Sequence, residues 1–578
     1  MSAKIHKGKR SEEMQLCMKQ FWYRNKMNYV LAILAQILIS AVNVSLAFVI
    51  LYFVEAVEYT DKSRVNLAMI FVGVFLGGNL ICGWLNRYAK NRYIMQALSQ
   101  FKDYIFRKII NKSIVDFETT NGSKFLNAFS NDLALIETNY LYGNIQIINL
   151  GFSVLIAMLA MLYINPILAL CALGAALIPL IFAIVFGTKL AKNEKAASDE
   201  NESFVDQMKD LLNGFIVIKS FKAEDEVLKL FSKRNFTLEQ TKRKRRETND
   251  TLSIASQLSN ILMISLIFLI GAFFAYKGIM SIGKVIAFVQ LSNYISDPVK
   301  LLIPLLGNRK ASLTLIDKVT LAVEESAEKK GTTKLTSFMN AIEIDNVSYS
   351  YDGEKEVLHN ISCRFDYNKS YAIVGNSGSG KSTILRLIMG FDHSYEGSIS
   401  VDGISLTDID LDSYYDFISV IQQNVFLFNN SIKENITLFR DFEESILDHA
   451  INIAGLKGLI EEKGLNYECG EFGCELSGGE KQRVSIARCI VRQTPIMLVD
   501  EATAALDNIT AYEVTNSILS IEGLTKIIVT HKLEKNLLQK FDEIIVMKDG
   551  TILETGSFDS LMENKNYFYS LYNVGISE

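Results

Sequence analysis

Six long apolar runs crowd the first part of the chain, at residues 29–54, 65–85, 142–164, 167–188, 256–276 and 284–306. Each approaches the roughly 20 residues that a helix needs to cross a bilayer, whereas a core helix of a soluble protein rarely sustains more than about 14. The first run is too long for the apolar core of a cleavable signal peptide and has no small-residue cleavage site after it. The expectation is an all-helical bundle of six membrane spans.

Loop charges orient that bundle. Lys4, Lys7, Lys9, Arg10, Lys19, Arg24 and Lys26 precede the first span; Arg87, Lys90, Arg92, Lys102, Arg107, Lys108 and Lys112 follow the second. Lys189, Lys192 and Lys195 follow the fourth, and the block at 242–246 is wholly Lys and Arg. The alternate connections are short and nearly free of both. By the positive-inside rule the amino terminus, both long loops and everything after residue 306 are cytoplasmic. The basic block is explained by its place beside a span. With a net charge of −5 the chain shows no overall basic balance, and nucleic-acid binding is not expected.

The two long loops read as helices that run on below the membrane and turn back at tips near 116–121 and 214–221, where Gly and Asn interrupt the pattern. Within the spans, Gln36, Ser40 and Asn43 share one helical face, as do Gln290, Asn293 or Tyr294, and Asp297. Polar residues at that depth either line a wet pathway or bond helix to helix. Their alignment favours a substrate pathway through Gln36, Asn43, Gln290, Asn293 and Asp297. The seven cysteines are scattered, and Cys469 with Cys474 lacks the further ligands of a zinc site.

After a polar linker the composition becomes that of a soluble α/β domain, with apolar strands at 370–374, 496–499 and 526–530 suggesting a largely parallel sheet. The fold class is therefore multi-domain: a six-helix transmembrane domain over 1–323, a linker over 324–337 and an α/β P-loop domain over 338–578. The first of these strands runs into Gly375-Asn376-Ser377-Gly378-Ser379-Gly380-Lys381-Ser382-Thr383 and then a helix, the context a phosphate-cradling loop requires. Its glycines let backbone N–H groups close on a phosphate, Lys381 supplies charge, and Ser382 suits Mg²⁺. The strand at 496–499 delivers Asp500, placed for Mg²⁺, and Glu501, placed to orient or deprotonate water. The strand at 526–530 delivers His531 to the same edge, where it is placed to contact the γ-phosphate.

Residues 476–483, Leu-Ser-Gly-Gly-Glu-Lys-Gln-Arg, lie some twenty positions before Asp500 and resemble the signature of ATP-binding cassette (ABC) proteins. With the six spans, nearly the whole chain resembles an ABC half-transporter of the exporter-type (type IV) fold. The resemblance implies ATP and Mg²⁺ as cofactors and an ATPase coupled to transport across the cytoplasmic membrane. It implies that Tyr351 (or Tyr349) stacks on adenine and that Gln423 senses Mg²⁺ and the γ-phosphate. It also implies that Ser477, Gly478 and Gly479 bind ATP held by the opposite subunit, so that the partner is a second half-transporter. Intact Glu501, His531, Lys381 and signature favour a homodimer over a heterodimer with degenerate sites. Residues 504–507 match the family's D-loop, with Ala where Ser is commoner. Residues 467–473 and the two loop tips resemble the segments that couple cassette to membrane domain. Glu480 replaces the commoner Gln, and Tyr414-Tyr415 stand where Leu-Arg is frequent. Only about 28 residues precede the spans, so no leader-cleaving peptidase domain is expected. Low Pro with abundant Ile, Lys and Asn suits an AT-rich bacterial genome. Export is the leading reading; import on the same fold and an ATP-gated channel or regulator are the alternatives.

Overall fold

The computed structural model describes residues 12–58, 62–114, 117, 125, 128–323, 331–351, 355–501 and 508–577, with side chains at 175–188, 190, 191, 256, 299, 300, 303, 508, 509 and 574–577 excepted. The chain divides into two compact units, one drawn from residues up to 325 and the other from 326 onward together with 113–115.

Among the described residues the first unit contains six long helices: α1 Lys26–Glu58, α2 Lys62–Ile110, α3 Gly143–Ile164, α4 Pro166–Asn213, α5 Glu224–Tyr276 and α6 Ile282–Val323. Each contains one of the expected runs. Four helical stretches among the described residues, Lys26–Glu58, Lys62–Ile110, Ala128–Ile164 and Glu224–Tyr276, are long and apolar enough to cross a membrane. The remaining two runs fall on α4, where many side chains are outside the description, and on α6, where Gln290, Asn293 and Asp297 dilute the apolar content.

The packing is that of helices in lipid. Small residues are buried between helices (Ala32, Ala35, Ala47, Ala157, Ala172), while Leu31, Leu34, Leu38, Val74, Ile81 and Leu269 face outward. Large apolar side chains gain nothing by leaving hydrocarbon for a protein interior, whereas small ones let backbones approach. Asn165 starts α4, its side chain accepting from the N–H groups of Ile167 and Leu168, with Pro166 at the first helical position. The α4 and α5 extensions run well past the apolar runs. They are joined through Gly214 and a short helix, Phe215–Ser220, as the sequence implied. That tip exposes Phe215, Ile216, Val217 and Phe221. The other expected tip, 116–121, lies outside the described residues save Phe117.

The second unit is an α/β domain with two sheets. One has six strands in the order β10-β9-β3-β8-β7-β6 and the other four in the order β2-β1-β4-β5. In the larger sheet β6 Ile418–Ile421, β7 Ile496–Asp500, β8 Thr525–Val529, β3 Ser370–Gly375 and β9 Glu543–Lys548 are parallel, and β10 Thr551–Gly556 is antiparallel at the edge. The strands of its centre are buried on both faces, which is why they read as continuous apolar runs rather than alternating ones. The smaller sheet, β1 Ala341–Ser350, β2 Glu356–Asp366, β4 Glu396–Val401 and β5 Ile404–Ser405, is antiparallel and was not expected from sequence. Its β1 changes register between Ile344 and Val347, where Asn346 takes a left-handed conformation, and the irregularity breaks the two-residue rhythm that would have revealed it. Parallel β3, β7 and β8 end side by side, so everything that follows them in sequence gathers at one rim.

Candidate nucleotide site

β3 gives way to the phosphate loop at Gly375. A Cβ there would stand 2.3 Å from the backbone O of Met547, so no larger residue fits. Gly380, at φ 98°, turns the chain into α7, Lys381–Ile388. Asn376, Ser377 and Gly378 stand exposed at the crown of the loop, while Ser379 and Lys381 are buried beneath it. Lys381 Nζ donates to the O atoms of Gly375 and Asn376, both at 2.9 Å, which folds the lysine back under its own loop. Burial lowers its pKa, and the nearby Glu501 and Asp500 oppose that fall.

β7 ends at Asp500, whose Oδ1 accepts from Ser382 Oγ at 2.9 Å. Burial raises the Asp500 carboxyl above its ordinary range, partly offset by that bond. Glu501 has φ 49°, and its N–H donates to Val529 O. A left-handed non-glycine residue costs on the order of 1–3 kcal/mol. The kink lets two consecutive carboxylates serve the same rim, where an extended strand would send them to opposite faces. One Glu501 oxygen lies 2.6 Å from His531 Nε2, just beyond β8, and the other accepts from Gln423 Nε2 at 2.9 Å. Glu501, Gln423 and His531 thus meet although 78 and 30 positions separate the outer two from Glu501.

Tyr351 is 57% exposed and its OH lies 3.1 Å from Thr383 Oγ1, whereas Tyr349 is buried and donates to Asp392. The exposed ring of Tyr351 is the one free to stack on a base. The residues fit a nucleotide polyphosphate: a loop of backbone N–H groups at a helix start, an interior lysine, and Ser379 Oγ buried with no partner among the described residues. For Mg²⁺, Ser382 and Asp500 offer adjacent hard oxygens. Among the described residues no group of three or more His, Cys, Asp or Glu could hold a metal, so further ligands would come from water and phosphate oxygens.

Ser477, Gly478 and Gly479 open helix α9, Gly478–Ile490. Ser477 and Glu480 form a capping box, with Ser477 N–H donating to Glu480 Oε2 at 2.7 Å and Glu480 N–H to Ser477 Oγ at 3.3 Å. Burial alone would raise Glu480; the bonds from Ser477 outweigh it and hold the carboxyl below its ordinary value. The box is one that either Glu or Gln can close, so Glu480 keeps the local geometry of the commoner residue. Ser477 and Gly478 are exposed. A patch of exposed aromatic rings, Phe426, Phe428, Phe439 and Phe472, lies alongside, with centroid distances of 5.1 to 5.8 Å between neighbours. The D-loop at 504–507 lies outside the described residues.

Two family descriptions match the chain: the ABC transporter transmembrane region over residues 29–299 and the ABC transporter over 358–504. The chain belongs to the ABC transporters. It joins one transmembrane domain to one ATPase domain and couples ATP hydrolysis to transport. Similar proteins include an ATP-dependent lipid A-core flippase of Desulfotalea psychrophila, 28% identical over 82% of this chain and 84% of that one. A protein of the same description from Pseudomonas aeruginosa is 24% identical over 95% and 94%. A solved bacterial Atm1-family ABC exporter with ATP bound superposes with a TM-score of 0.82 at 23% identity, covering 96% of this chain and 99% of that one, and it shares the fold.

In the transporter's membrane unit the polar stripe of α1 makes helix-to-helix bonds. Gln36 Nε2 donates to Asn86 Oδ1 at 2.6 Å, and Gln36 Oε1 accepts from Asn149 Nδ2 at 2.8 Å. Asn43 Oδ1 accepts from Asn79 Nδ2 at 2.8 Å, while its backbone O accepts from Tyr294 OH at 2.7 Å. Nearer the amino-terminal end of α1, Asn28 donates to Gln96 at 2.7 Å. These amides form a ladder between α1 and α2. Of the α6 stripe, Gln290 and Asn293 are half-buried and Asp297 is exposed. Asn79, Asn86 and Asn149 had not been singled out. Their partners lie on other helices, and nothing local in the sequence reports that.

Proposed function

We propose that this chain is half of an ATP-driven exporter that works as a dimer with two composite ATP sites and moves substrate by alternating access. The carrying observation is the course of α9. Its last turn is tied to β6, Cys489 Sγ donating to Val420 O and Ser419 Oγ to Cys489 O. Thirteen helical residues span about 20 Å, so the exposed signature at the other end is held well away from that strand. A signature so placed is suited to a nucleotide held by Lys381 of a second copy.

In each composite site Lys381 and the loop N–H groups hold the phosphates, Tyr351 stacks on the base, and Ser477–Gly479 of the other copy close the pocket. Glu501 orients the attacking water and takes its proton, while His531 and Gln423 hold both carboxylate oxygens in place. Mg²⁺, bound through Ser382, Asp500 and Gln423, would neutralise developing phosphate charge. Closure favoured by ATP and released by hydrolysis biases two states of the membrane domain. We assign the exposed Phe215–Ser220 tip and the exposed Phe patch to coupling the two activities. The domain bounds are 1–323, 324–337 and 338–578, with the ATPase domain on the cytoplasmic side of the cytoplasmic membrane. Relatives described as lipid A-core flippases favour an amphiphilic substrate.

Complementation tests the composite site. Lys381→Ala and Ser477→Arg chains should each be inactive as homodimers. Mixed before reconstitution, they form one intact site per heterodimer, and ATP hydrolysis should return. If mixing restores nothing while differently tagged wild-type subunits exchange freely, the composite homodimer is wrong.

A further inference from the structure

The Gln423 loop is held at both ends by the same turn of α9. On the entry side, Ser419 and Val420 bond Cys489, as above. On the exit side, Arg488 Nη1 donates to Phe426 O at 3.2 Å. Its Nε donates to the backbone O of Asn435 at 2.8 Å. Asn435 lies in the short helix α8, Ile432–Thr437, and is fully buried. Its side-chain amide pairs with one residue's backbone from both sides: Oδ1 accepts from Phe428 N–H at 2.8 Å, and Nδ2 donates to Phe428 O at 2.9 Å. A second Nδ2 contact, to Ser431 O at 3.1 Å, closes the turn. Arg488 is half-buried and its bonds here go to carbonyl oxygens, which no other side chain can replace with the same planar fork.

We infer that Asn435 and Arg488 are positioning residues for hydrolysis: they pin the Gln423 loop to the far end of the signature helix, so that loop and signature move as one body. Only two residues lie between Gln423 and the pinned Phe426, three peptide steps or at most about 10 Å of chain. A displacement of Gln423 by its partner Glu501 must therefore either strain residues 423–425 or be carried into α9. The signature at the other end of that helix then moves with it. Neither residue belongs to the phosphate loop, the acidic pair or the signature triplet. The inference rests on the role proposed for Gln423.

The test is a double-substitution cycle on the full-length transporter reconstituted in nanodiscs, read as ATPase kcat and KM. Arg488→Lys keeps the charge and loses the fork; Asn435→Ser keeps a polar group and loses the two-sided pairing. Each should lower kcat about tenfold, equivalent to about 1.4 kcal/mol of barrier, with KM for ATP changed less than about twofold because the phosphate loop is untouched. Gln423→Ala combined with Arg488→Lys should be no slower than Gln423→Ala alone, since both remove one function. A merely structural contact would lower stability and give additive losses. Additive losses, or single variants with wild-type kcat, overturn the inference. If Gln423→Ala itself leaves kcat unchanged, the role of Gln423 fails first and the inference falls with it. Should Asn435→Ser fail to fold, Arg488→Lys alone completes the cycle.

Discussion

Nε2 of His531 lies 2.6 Å from Oε1 of Glu501, so the histidine at the end of one strand braces the carboxylate at the end of its neighbour. With Gln423 on the other oxygen, Glu501 has a fixed plane and a fixed direction. A water-activating base needs this kind of orientation more than it needs binding energy.

Glu501→Gln keeps the shape and both neighbours while removing the base. ATP binding should persist within about threefold, and turnover should fall by about 10²–10⁴, the usual worth of a positioned general base. Single-turnover hydrolysis of radiolabelled ATP by the purified variant measures it. A rate near wild type would refute the role.

Lys381→Ala should act on binding. The lysine is buried under the loop and supplies its positive charge. Removing it should weaken ATP affinity at least tenfold, roughly the value of one charge-assisted hydrogen bond. Fluorescent-nucleotide titration gives the answer, and unchanged affinity would count against the phosphate-loop assignment.

Asp500 predicts a pH dependence. Burial raises its pKa above the ordinary 3.8, so the folded protein holds the proton more tightly than the unfolded chain does. The stabilisation from that proton is fully present below the ordinary value and is lost as pH rises through the raised one. Cation binding needs the carboxylate, so Mg²⁺-dependent ATP affinity should decline with acidification at a higher pH than a free aspartate would give. Asp500→Asn should abolish that dependence and gain stability relative to wild type as pH rises from acid to neutral. Thermal melts and Mg²⁺ titrations across pH test both.

Gln36→Leu removes the donor to Asn86 and the acceptor for Asn149. Interhelical bonds of this kind contribute roughly 0.6–1.7 kcal/mol each, so the detergent-solubilised protein should melt measurably lower. Restoring an apolar match by changing Asn86 and Asn149 as well should recover most of the loss. If the single variant melts with wild type, the bonds do not stabilise the bundle.

The legible parts of this chain were those encoded by adjacent residues. The spans announce themselves through length, and the phosphate loop, Asp500-Glu501 and the signature through short motifs in the right strand or helix context. Glu501's left-handed backbone was not legible, because the sequence gives two carboxylates in a row and an extended strand would separate them. Asn435 and Arg488 were missed for a similar reason: an Asn in a short helix and an Arg after a signature carry no local mark of a shared carbonyl network. The stripe on α1 was seen, but its use depended on amides that α2 and α3 present to it. The antiparallel sheet was hidden by its own irregularity at Asn346.

The amide rungs Asn28–Gln96, Gln36–Asn86 and Asn43–Asn79 also bear on how the protein is made. A lone first segment leaving the translocon would meet hydrocarbon with these groups bare, whereas a hairpin of two segments can enter with them already matched. Biogenesis should therefore proceed by paired insertion. Adding or deleting one residue within α2 ahead of Asn79 would rotate that side of the ladder by about 100° and leave the nascent pair unable to close.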